Sequence, residues 1–146
     1  MHYFGSKKEL FRRVIDSAPV PEVSAEPGQA AEQILNGIES RLGNEPTASL
    51  TLLRSMLTNP DAADAASTGI ARYQSQIAQA VPADDAALRA AIISAITLGI
   101  TVSRHLVQSD DLASADPEHV IRLLRPVIDS LTAHSGPPCG PSNTGC

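Results

Sequence analysis

Proline-led start signals recur along this chain, and each opens a stretch whose apolar residues return at helical spacing. Asn59-Pro-Asp61 and Asp116-Pro-Glu118 share one logic. The polar side chain accepts from an otherwise unpaired N–H, and proline takes the first helical position, where it has no hydrogen bond to lose. Pro27 and Pro46 sit at further helix starts, while Ala18-Pro-Val-Pro21 and Pro82 mark interruptions. Strand signals do not recur. A chain punctuated this way has one fold class open to it: all-α, with about six helices.

The first helix opens at the capping box Ser6-Lys-Lys-Glu9 and carries Leu10, Phe11, Val14 and Ile15. The second runs from Pro27 through Ala30, Ala31, Ile34, Leu35, Ile38 and Leu42, and Gly43-Asn44 stops it. The third covers Pro46–Leu57, with Leu50, Leu53 and Leu57 on one stripe. The fourth runs from Pro60 through Ile70, Tyr73, Ile77 and Val81, with a bend expected near Thr68-Gly69. Asp84 or Asp85 caps a long fifth helix from Ala86 to Gln108. The last carries Val120, Ile121, Leu123, Leu124, Val127, Ile128 and Leu131. Beyond His134, the Gly/Pro/Ser-rich tail has nothing to bury and is expected to be disordered. The segments are therefore 1–17, 18–134 and 135–146, all within the size of a single domain.

Composition removes several function classes. The longest apolar stretch, Ala90–Val102, is broken by Ser94, Thr97 and Thr101, so no membrane span is expected. No signal peptide is visible. Cys139 and Cys146 both lie in the tail and fit no zinc spacing. A reduced, cytoplasmic protein without metal or cofactor is the expectation. His2, His105, His119 and His134 form no HExxH pattern, and no GxSxG, P-loop or GxGxxG occurs. The adjacent pairs Asp84-Asp85 and Asp110-Asp111 read as helix caps and solvated turns. No enzyme is expected.

The last two long helices are apolar over more than the stripe of roughly 100° that one-sided packing needs. In the first, Leu88, Ala91, Ile92, Ala95, Gly99 and Val102 form one side, and Ile93, Ile96, Ile100, Leu106 and Val107 another. In the second, Val120, Leu124, Val127 and Leu131 lie beside Ile121, Leu123 and Ile128. One side serves the chain's own core. The other predicts a homodimer in which Leu88, Ala91, Ile92, Ala95, Gly99, Val102, Val120, Leu124, Val127 and Leu131 build a four-helix interface. The competing reading places both helices centrally in a monomer.

The N-terminal edge differs from the rest. Tyr3, Phe4 and Phe11 are three of the four aromatics, and residues 1–13 carry +3 while the remainder carries −8. His2-Tyr-Phe-Gly-Ser-Lys-Lys-Glu-Leu-Phe11 resembles the end of the DNA-binding region in the TetR family of transcriptional regulators. There a recognition helix ends in Tyr-x-Tyr/Phe-Phe and the next helix begins with Ser-Lys-x-x-Leu. Leu52-Leu-Arg-Ser-Met56 with Asn59-Pro60, and Leu112-Ala-Ser-Ala-Asp-Pro-Glu118, are similar to segments of TetR-type regulatory domains in the same order. The resemblance covers nearly all of residues 2–134.

The resemblance implies a regulator, expected to be a repressor, with a helix-turn-helix of which this chain carries only the trailing end. His2, Tyr3 and Lys7 would then approach DNA phosphates, which positions a duplex without reading its sequence. Binding to double-stranded operator DNA is expected only with the preceding helices restored. The chain is read as truncated at its N-terminus, by fragmentation or a downstream start. The alternative is a short helical interaction module that dimerises without reading DNA. The resemblance also implies a small, apolar effector inside the helical body. Leu53, Met56, Tyr73, Gln76, Ile96 and Ile100 are the candidate lining, Tyr73 first among them, because a lone aromatic offers both area and a hydroxyl. Arg54 and Arg104 are candidates to pair with an anionic group.

Overall fold

The computed structural model describes Glu9, Arg13, Val23 and residues 26–134. Among the described residues lie six α-helices, one π turn and no strand: α1 (Pro27–Gly43), α2 (Thr47–Met56), α3 (Pro60–Ala80), α4 (Ala86–Val102), the π turn (Ser103–Val107), α5 (Asp110–Ser114) and α6 (Pro117–Thr132). The expected first helix and the tail lie outside the described residues, except that Glu9 and Arg13 are helical and 3.8 Å apart as an ion pair one turn apart.

Local chemistry accounts for most of the boundaries. Pro27 opens α1, and the Asn44 N–H bonds Ser40 O at 3.0 Å where the helix ends beside Gly43. Asn59 Oδ1 accepts from the Asp61 N–H at 3.0 Å, so the cap of α3 forms as its residues dictate. The helix then runs through Thr68-Gly69 without interruption. Asp85 stands at the start of α4, but its carboxylate takes the Arg89 Nε at 2.7 Å instead of capping the backbone. Asp116 precedes Pro117 at the start of α6, again with no side-chain cap bond.

The core is the inner face of α1 set against the inner faces of α3, α4 and α6. Ile34, Leu35, Ile38, Ile77, Ile93 and Ile128 are fully buried in it, and Ala31, Leu42, Val81, Ala90, Val120 and Ile121 complete the cluster. α1 packs most heavily on α6, α3 on α4, and α2 rides on α3, where Leu50 is fully buried. Two arginines tie element ends together. Arg89 Nη1 lies 3.2–3.4 Å from the carbonyls of Ser130, Leu131 and Ala133, placing a cation on the negative end of α6. Arg125 pairs with Glu32 and joins α6 to α1. Pro126 lies inside α6 on its exposed side, so water can serve the carbonyl that loses its helical partner.

Three expectations are corrected. The fifth helix does not stay α-helical to Gln108. It loosens into the π turn and closes on Gln108 at φ 55, the left-handed region, whose N–H bonds Ser103 O. Asp110-Asp111 is no solvated turn but the first turn of α5, where the two carboxylates face a helix's positive end. Third, Ala86–Val107 forms 22 residues of continuous helix containing an 18-residue window of mean hydropathy 1.7, which by length and composition is enough to cross a membrane. The polar residues expected to break that run do not. Thr97 Oγ1 donates to Ile93 O at 2.9 Å and Thr101 Oγ1 to Thr97 O at 2.8 Å, so the helix absorbs them. In this fold the same apolar length packs against α1, α3 and α6.

Candidate functional site

The interior where α1, α3 and α4 meet is not uniformly apolar. Tyr73 on α3 packs against the core cluster together with Ile100 of α4. Burial raises the Tyr73 pKa from its ordinary 10.0, and the nearby Arg41 charge and Thr97 hydroxyl pull it back in part. Arg41, in the last turn of α1, donates from Nη1 to Gly37 O at 3.0 Å. His105, in the π turn, has Nε2 2.7 Å from the Arg41 carbonyl; because a carbonyl only accepts, Nε2 carries the proton. A polar seam of Arg41, Tyr73, Thr97 and His105 thus runs through the bundle.

Gln76, one turn along α3 from Tyr73, adds the one irregularity. Its Oε1 is buried and finds no hydrogen-bond partner. Leaving such an acceptor unmade costs about 1–3 kcal/mol. Among the described residues no other buried side-chain nitrogen or oxygen is in this state.

All six residues expected to line a pocket are half-buried, neither core nor surface. Tyr73 and Ile100 come together against the cluster. Gln76 lies on the same helix as Tyr73, and Ile96 one turn before Ile100. Leu53 and Met56 lie on α2, which packs on α3. Arg41, Thr97 and His105 were not anticipated. Threonines at 97 and 101, four apart in an apolar helix, were the available signal. Arg104 is corrected: its Nη1 holds Leu112 O at 2.6 Å and Ala115 O at 3.0 Å, so it fastens α5 to the π turn. Arg54 is exposed on α2. A separate open cleft of about 500 Å³ lies between the start of α1 and the end of α6, lined by Gly28, Glu32, Asp129 and His134 among others, and by none of the anticipated residues.

The second feature is an outward apolar face. Leu88 is 61% exposed, Leu123 65% and Val127 42%, and Ile92 and Leu98 are exposed beside them. Ala95 and Gly99 are also exposed, and Ala91, Val102, Leu124 and Leu131 are half-buried. Val120 differs. At 8% exposure it belongs to the chain's own core cluster, against which Leu112 and Ala115, just ahead of α6, also pack. Val107, expected on the inner side, is 68% exposed. The π turn adds a residue to the last turn and rotates it outward.

His2, Tyr3 and Lys7 lie outside the described residues. No group of three or more His, Cys, Asp or Glu among the described residues could hold a metal ion. The family described as tetracyclin repressor-like, C-terminal domain, matches residues 29–131, a span that begins in α1 and ends in α6. No curated protein and no solved structure matches the chain.

Proposed function

The chain belongs to the tetracyclin repressor-like C-terminal domain family, and from that premise we propose that it is the dimerising, effector-binding part of a transcriptional repressor. Regulators of this family are not enzymes and are typically cytoplasmic. The observation that carries the reading is the solvent-facing apolar strip on α4 and α6, with Leu88, Ile92, Leu123 and Val127 exposed. A soluble domain covers such a strip with a partner. A two-fold axis beside α4 and α6 brings the same four side chains of a second copy against them, and exposed Ala95 and Gly99 let the backbones approach.

The effector is a small, largely apolar molecule held by Leu53, Met56, Tyr73, Gln76, Ile96 and Ile100. It acts by binding one arrangement of the dimer more tightly than the other, which changes the spacing of the DNA-binding heads. With the preceding helices present, His2, Tyr3 and Lys7 contact phosphates of the operator duplex. Sedimentation at tens of micromolar tests the dimer directly. A dimer is expected, and a monomer at that concentration removes the interface.

A further inference from the structure

We propose that the effector is an uncharged, mainly apolar molecule bearing a hydroxyl, and that this hydroxyl donates to Gln76 Oε1. The inference rests on the pocket reading above and specifies what enters it. Gln76 Oε1 is sequestered from water and bonded to nothing, in a protein whose other buried side-chain polar atoms, among the described residues, are partnered. Thr97, Thr101 and Thr132 show the usual solution, each hydroxyl donating to its own helix backbone. An amide oxygen cannot do this, since it only accepts. Its partner has to bring a donor.

The surroundings narrow the class. Tyr73 and Ile100 pack against the core cluster, and half-buried Ile96 lies one turn before Ile100. The Arg41 guanidinium acts on Tyr73, so a cation is repelled there. A hydrocarbon brings no donor and leaves the acceptor unmade. A hydroxyl supplies the donor, and its oxygen can still accept from the neutral Tyr73 phenol. A resident water is the competing partner, and it would need two to four polar neighbours of its own.

The test uses the full chain and three probes of similar size. Phenol donates, anisole only accepts, and toluene does neither. Binding is followed through the Gln76 side-chain amide and Tyr73 ring NMR signals. Phenol is expected to shift both and to bind roughly tenfold more tightly than toluene, with anisole no better than toluene. In Gln76→Met that preference should shrink to within about twofold. Gln76→Met alone should melt at a higher temperature than the wild type, because it removes an unpaired buried acceptor. A lower melting temperature means that Oε1 already has a partner, and overturns the proposal. Anisole ahead of phenol also overturns it, by making the buried group a donor. Toluene equal to phenol at Gln76 leaves the pocket standing and removes the hydroxyl requirement. If none of the three moves Gln76, Tyr73 or Ile96, the pocket reading falls with it.

Discussion

α1 and α4 are the same length, 17 residues, and distribute their side chains in opposite ways. α1 keeps Ala30, Ala31, Ile34, Leu35, Ile38 and Leu42 inside and turns Glu32, Asn36 and Ser40 to solvent. α4 buries Ala90 and Ile93 but also Ser94, Thr97 and Thr101, and leaves Leu88, Ile92 and Leu98 outside. Burial within one chain explains α1 completely. It does not explain α4, whose outer leucines and isoleucine have nothing to pack on in a single copy. α1 is shaped by folding, and α4 by folding and association together.

The largest expected effect tests the α1 half of this contrast. Ile38→Ala removes a fully buried side chain from the centre of the core. It should lower unfolding free energy by about 2–5 kcal/mol, read by urea denaturation. A loss under about 1 kcal/mol would mean that the core is not centred on α1.

The next prediction concerns α4. Leu88→Ala with Leu123→Ala should weaken dimerisation by about 2–4 kcal/mol, seen as a shift to monomer on dilution. The unfolding free energy of the monomer should change little, since both side chains are already mostly exposed in one copy. Equal losses in both measurements would make α4 another core helix and erase the contrast.

Much of this was legible in the residues. Pro27, Asn59-Pro60 and Pro117 start helices for reasons local to a few atoms, though Asp116 makes no side-chain cap bond, and every apolar residue assigned to the inner face of α1 is buried there. What escaped depends on partners distant in the chain. The π turn is held from outside itself, by His105 on the Arg41 carbonyl and Arg104 on Leu112 and Ala115, and nothing in Ser103–Val107 announces those bonds. Val120 has the spacing of an outward residue but sits in the core cluster, against which Leu112 and Ala115 of the preceding segment also pack. Tyr73 and Gln76 stood out as polar groups on an apolar helix. Arg41 did not, because one arginine in a last turn looks like dipole compensation.

A smaller effect separates the buried polar residues of α4 from its exposed apolar ones. Thr97→Val keeps the shape and removes a hydroxyl that donates to Ile93 O of its own helix and also lies against the Tyr73 phenol. Ile93 O remains a helical acceptor, so unfolding free energy should change by no more than about 1 kcal/mol. A loss of several kcal/mol would show that the Thr97–Tyr73 contact is a main tie between α3 and α4 and that the hydroxyl is not satisfied by its own helix.

The smallest effect at neutral pH is also the most specific to the seam. Tyr73 is one of two tyrosines, so in a Tyr3→Phe background the ultraviolet titration reports it alone. Burial raises its pKa from 10.0, so the folded protein holds the phenolic proton to higher pH than the unfolded chain does. The associated stability is complete below the unfolded pKa and is lost as pH rises through the folded one. Stability should therefore be flat around neutrality and fall above about pH 10, and Tyr73→Phe should remove that part of the fall. Thr97→Val should push the titration higher still, because the Thr97 hydroxyl favours the phenolate. An unshifted titration in the folded protein would place Tyr73 in water and take the seam out of the bundle interior.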